Sequence, residues 1–157
     1  MKALIIYDST FGNTKRIAES IAKGFGHDIL AIPVATVSWH MLDGIDVLIV
    51  GSPTQGGRPT KNIQEFINTI PDKGLQGVRI AGFDTRFKES EQNFALRLLI
   101  KTIKYAAEKI TASLASKGGM NVVAEGFFVT GKEGPLVEGE PDRAEKWGAS
   151  LLQSLKK

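Results

Sequence analysis

Ala3-Leu4-Ile5-Ile6-Tyr7-Asp8-Ser9-Thr10-Phe11-Gly12-Asn13-Thr14 decides the reading of this chain. A short unbroken apolar run, Ala3 to Tyr7, fits a strand buried on both faces. A polar loop follows. From Thr14 to Phe25 the apolar residues Ile17, Ala18, Ile21, Ala22 and Phe25 recur at helical spacing, with Gly24 and Gly26 marking the end. Strand, polar loop, helix is the start of a parallel α/β unit.

The same alternation continues. Ile29 to Val34 reads as a second strand, moved toward a sheet edge by Pro33. Val47 to Val50 reads as a third, and Pro59 to Ile70 as a helix carrying Ile63, Phe66, Ile67 and Ile70. Val78 to Phe83 is the fourth strand. Gln92 to Lys117 has a stripe of Leu99, Ile103, Ala106, Ile110 and Leu114, closed by Gly118-Gly119. Val122 to Val129 is the fifth strand, and Asp142 to Leu155 the last helix. Five strands separated by helical segments predict a parallel sheet with helices on both faces, joined by right-handed crossovers. Ligands of such sheets sit beyond the carboxyl ends of the strands, near the switch point. The loops after strands one, three and four are therefore the places to look.

The chain has 157 residues, 42% of them hydrophobic and 24% charged, which suits one compact domain spanning 1–157. It has no cysteine, which removes disulfides, thiolate metal sites and cysteine nucleophiles from consideration. No apolar stretch approaches the roughly 20 residues of a transmembrane helix, and the N-terminal run is too short for a signal peptide. The expectation is a cytoplasmic protein with no membrane insertion. The net charge of +3 is mild and the basic residues are dispersed, which argues against a nucleic-acid partner.

In the first loop Ser9, Thr10 and Thr14 bring hydroxyls and Asn13 an amide, around Gly12. Gly12 permits a tight turn that converges N–H groups, and the helix N-terminus adds partial positive charge. A simple N-cap needs one such side chain, so the group reads as a neutral phosphate cradle. It lacks a Walker lysine and is not G-x-G-x-x-G, which speaks against nucleoside triphosphate hydrolysis and ordinary dinucleotide binding.

The run Tyr7 to Thr14 resembles the flavodoxin phosphate-loop signature Ser/Thr-x-Thr-Gly-x-Thr, matched by Ser9, Thr10, Gly12 and Thr14, with Phe11 as one extra position. The resemblance covers essentially the whole chain. It implies a doubly wound five-stranded parallel sheet of order 2-1-3-4-5, FMN as cofactor, and the FMN phosphate held by Ser9, Thr10, Asn13 and Thr14. Gly51-Ser52-Pro53-Thr54-Gln55-Gly56-Gly57-Arg58-Pro59 is similar to the family's flavin-edge loop, which implies contacts from Pro53, Thr54, Gln55, Gly56 and Gly57. The two glycines also suit a plain turn. In the family a peptide here turns toward the reduced flavin N5; Gly56 is the first candidate and Gly57 the other. The aromatic that many flavodoxins place in this loop is absent between Ser52 and Thr60, and Trp39, the nearest aromatic upstream, reads as surface or core packing.

After the fourth strand, the resemblance implies that Phe87 packs on the flavin, that Asp84 and Thr85 bond its pyrimidine edge, and that Arg86 brings positive charge near the ring. Such a charge would raise the potential of the reduced flavin. The tail from Gly126 through Pro135-Leu136 reads as structural. His27 and His40 lack metal-ligand spacing, no Gly-x-Ser-x-Gly elbow appears, and the acidic residues of a receiver domain are missing. The resulting expectation is an electron carrier between redox partner proteins. The alternatives are an FMN-dependent NAD(P)H:quinone-type reductase, for which the chain has little spare sequence, and a flavodoxin-fold module without FMN.

Overall fold

The computed structural model describes residues 1–26, 29–88, 95 and 105–155. Its elements are β1 (Ala3–Tyr7), α1 (Asn13–Phe25), β2 (Leu30–Pro33), β3 (Val47–Pro53), α2 (Lys61–Thr69), β4 (Arg79–Phe87), α3 (Ala106–Ser116), β5 (Met120–Val129) and α4 (Glu140–Leu155), with two short 3-10 turns between β2 and β3. The strands form one parallel sheet in the order β2-β1-β3-β4-β5. The expected order and the edge position of the Pro33 strand are both found.

Side chains alternate across a strand, and here both faces are apolar. Ile5, Tyr7, Ile49, Ala81 and Phe83 face one side, where Ile17, Ile21 and Phe25 of α1 and Ala144 and Leu151 of α4 cover them. Ile6, Leu48, Val50 and Ile80 face the other, under Ile63, Phe66 and Ile67 of α2 and Ile110 and Leu114 of α3. Phe83, Phe127 and Trp147 make successive edge-on ring contacts at 6.3 and 6.0 Å, which stiffens the first layer beneath β5.

Several boundaries differ from the sequence expectation. Gly24 lies inside α1, not at its end. A Cβ there would stand 1.8 Å from the Glu145 carbonyl oxygen, so glycine is required by the close approach of α4. Gly26, at φ 136°, is where the helix stops. β4 runs four residues past Phe83 because β5 supplies partners for Asp84 through Phe87, in register with Gly126 through Val129. Asp84–Phe87 is thus strand, not loop. β3 likewise extends to Pro53. Of the long predicted helix, Ala106, Ile110 and Leu114 are buried as expected, whereas Leu99 and Ile103 lie outside the described residues, as does His27. Trp39 packs half-buried against the second layer, stacked on exposed His40.

Candidate functional site

The sheet order reverses between β1 and β3, and the carboxyl ends of β1, β3, β4 and β5 surround a cavity of about 520 Å³. Its wall includes Ser9, Thr10, Phe11, Asn13 and Thr14 from the first loop, and Pro53, Thr54, Gln55 and Gly56 from the end of β3 and its turn. Thr85, Arg86 and Phe87 come from β4, with Val129 and Lys132 from β5 and beyond.

At the α1 end the backbone donors are open. Gly12 adopts φ 91°, a left-handed conformation that carries the chain sharply into the helix. Ser9 Oγ accepts from Gly12 N–H at 3.1 Å and Lys15 N–H at 3.2 Å, and its own proton remains to be donated. The N–H groups of Thr10, Phe11, Asn13 and Thr14 find no acceptor among the described residues. Four such donors at a helix N-terminus match an anion, and a Cβ at Gly12 would have open space around it. Thr14 Oγ1 is buried and hydrogen-bonds Thr85 Oγ1 at 2.9 Å, joining the loop to β4. Asn13 Nδ2 donates to the Glu133 carbonyl at 3.1 Å, joining it to the tail.

A polar network lies beneath this end. Asp8 accepts from Ser9 N–H at 3.0 Å, from the Thr60 hydroxyl at 2.7 Å and from Asn62 Nδ2 at 3.2 Å. Thr60 in turn caps α2, accepting from Ile63 N–H, and its own N–H donates to Ser52 Oγ at 2.9 Å. These residues hold the first loop against α2. Sequence reading passed over them because they reach the site only through other residues.

The turn after β3 closes tightly. Gln55 N–H and Arg58 N–H each donate to the other's carbonyl, at 2.8 and 3.0 Å. Gly56 and Gly57 between them have φ of 56° and 74°, the signature of a type I′ turn. Glycine adopts both of these positive φ values at the least cost. Gly56 lines the cavity; Gly57 and Gly12 shape the backbone beside it. Thr54 Oγ1 accepts from Ala106 N–H at 3.1 Å, so the same loop also caps α3.

At the β4 end the charges are engaged with one another. Asp84 and Arg86 are two residues apart on a strand, so they share a face. Arg86 Nε and Nη2 donate to the two Asp84 carboxylate oxygens at 2.5 and 2.8 Å, and Ala107 N–H donates to Oδ2 at 2.8 Å. Burial pushes the Asp84 carboxyl up, against the pull of Arg86 and of the Ala107 N–H. Arg86 also stacks on Tyr105, 3.7 Å from the ring centre, and lies 3.6 Å from the Glu108 carboxylate. Asp84 is fully buried and caps α3, so it presents nothing to the cavity. Arg86 does reach the wall, but two carboxylates stand against its one charge. The expected unbalanced positive charge is therefore replaced by a cluster of formal net charge −1.

Among the described residues two rings line the cavity, Phe11 and Phe87, 48% and 45% exposed. Both stand at the rim, where a flat ligand would cover them. Val129 and Lys132 were not foreseen; the rule that directs attention to strand carboxyl ends applies to β5 as well, and the tail there was read as structural.

Fold and site together define a doubly wound α/β protein with a cavity at the switch point, open N–H donors at one end of it. Residues 4–138 match the family model described as a flavodoxin domain. The chain belongs to that family. It is 36% identical over 84 residues to a flavodoxin of Clostridium beijerinckii, and 28% identical over 76 residues to Flavodoxin FldP of Pseudomonas aeruginosa. These segments are 50% and 46% of this chain and cover 60% and 41% of the two relatives' own lengths. The fold also matches oxidised flavodoxin 1 of Bacillus cereus, with a TM-score of 0.72 at 17% identity over 98% of both chains.

Proposed function

We propose that this protein binds FMN in the switch-point cavity and transfers electrons between redox partner proteins. The observation that carries the proposal is the set of four open N–H donors around Gly12, joined by the Ser9 hydroxyl, at one end of a cavity whose rim bears two exposed rings. FMN supplies reversible uptake of electrons; the chain supplies binding and the electrostatic setting.

Ser9, Thr10, Asn13 and Thr14 hold the phosphate at the α1 N-terminus. Phe87 and Phe11 offer apolar surface to the ring, and Pro53, Thr54, Gln55 and Gly56 form the wall along it. Gly56 has the freedom to present a carbonyl: turning the central peptide of a type I′ turn gives type II′, and glycine tolerates both. Thr85 and Arg86 line the β4 side. Because Asp84 and Glu108 balance Arg86, this side does not favour a reduced, anionic flavin, which supports a low potential.

The test is to mix the purified protein with excess FMN, remove what is unbound, and record the visible spectrum during stepwise reduction. Retained flavin that takes up electrons in two separate steps, with no direct reduction by NAD(P)H, is the expected result. Rapid reduction by NAD(P)H with turnover of a quinone would favour the reductase. Loss of all flavin would overturn the proposal.

A further inference from the structure

Among the described residues of the cavity wall two carry a positive charge, Arg86 and Lys132, and none carries a negative one. Arg86 is balanced within the protein. Lys132 forms no ion pair with a described residue. Among the described lining residues, the one charge without an ion-pair partner is therefore a lysine.

Its position is fixed by the loop that bears it. Thr130 donates from both its N–H and its hydroxyl to the Pro135 carbonyl at 2.9 Å, and Gly134 N–H donates to the Gly131 carbonyl at 3.0 Å. The closed loop then docks on the first residue of α1, where Asn13 Nδ2 holds the Glu133 carbonyl. A Cβ on Gly134 would come within 2.6 Å of the Asn13 side chain, so the contact is close. Lys132 is one residue from this anchor and lines the cavity.

We propose that Lys132 is a counter-ion for the cofactor phosphate, and that it selects a phosphorylated flavin over an unphosphorylated one. This rests on the FMN reading above. The other side chains that line the cradle are uncharged, and the Asp8 carboxylate behind it, bonded to the Ser9 N–H, adds no positive charge. A phosphate monoester brings nearly two negative charges at neutral pH, and the helix N-terminus offsets only about half of one. A flexible ammonium is suited to the remainder. Its exposure makes the contribution sensitive to salt.

The experiment measures dissociation constants for FMN and for riboflavin by quenching of flavin fluorescence, in the wild type, Lys132→Met and Lys132→Arg, at low and high salt. At low salt Lys132→Met should weaken FMN roughly three- to tenfold and leave riboflavin unchanged, with the loss shrinking at high salt. Lys132→Arg should stay near the wild type. Unchanged FMN affinity in Lys132→Met, or equal losses for both flavins, would overturn the role of Lys132 while leaving the FMN reading standing. A wild type that binds neither flavin would overturn that reading itself.

Discussion

The two ends of the cavity behave oppositely. At the α1 end four N–H groups are unmatched among the described residues, and Lys132, the charged side chain on the cavity wall there, has no ion-pair partner among them. At the β4 end the residues are more strongly charged, yet Asp84, Arg86 and Ala107 N–H are engaged with one another, and Glu108 stands 3.6 Å from Arg86 as a looser ion pair. A buried charge must be paired, so the strong groups went into holding β4 to α3. The weak, unmatched donors are what remains for a ligand. Residue type alone does not mark a binding group; the absence of an internal partner does.

The comparison breaks most visibly at Asp84. Asp84→Ala leaves the Arg86 guanidinium with the looser Glu108 ion pair and the Tyr105 ring, and removes the acceptor for Ala107 N–H. The expected loss of stability is about 3 kcal/mol, read by urea unfolding at neutral pH. The ratio of FMN to riboflavin affinity should be unchanged, because that end does not hold the phosphate. A small stability loss would mean the cluster is not structural.

Ser9→Ala attacks the opposite end. It removes an acceptor for two N–H groups and a donor toward the anion, so FMN affinity should fall by about tenfold or more, roughly 1.5–3 kcal/mol. Riboflavin affinity and unfolding should change little by comparison.

Glu140 sharpens the contrast as a second internally satisfied acid, away from the cavity. Burial opposes its ionisation, but Arg143 and the Phe128 N–H outweigh that and hold its carboxyl below the usual range. A lowered carboxyl stabilises the fold above the ordinary carboxylate range and loses that contribution as the pH falls through the folded value. Glu140→Gln should therefore cost about 1–2 kcal/mol at neutral pH, and the gap to the wild type should close in acid. A gap that widened in acid would reverse the assignment.

The smallest effect is expected at Gly56. Alanine at φ 56° costs about 1 kcal/mol of stability. The peptide's proposed turn toward the flavin should register as a changed potential of the first one-electron couple, measured in Gly56→Ala with FMN bound. An unchanged couple would remove Gly56 from that role.

Much of this was legible in the chain. Unbroken apolar runs separated by helix-period segments specified a parallel sheet, and Pro33 placed β2 at an edge. The first loop stood out because four hydrogen-bonding side chains surround one glycine. The β4 end did not, since reading Asp84–Phe87 as loop concealed that residues 84 and 86 share a strand face and pair. Gly24 looked like a helix stop because nothing in its neighbourhood reveals that α4 packs against it. Lys132 was missed for a similar reason: its place depends on a contact between Asn13 and Glu133, 120 residues apart.

The central claim is that the open donors around Gly12 hold a phosphate. The most direct measurement is the ratio of FMN to riboflavin affinity in the wild-type protein. The account predicts a ratio well above tenfold, since the cradle's charge-assisted hydrogen bonds reach only the phosphorylated flavin. Equal affinities for the two flavins would contradict it.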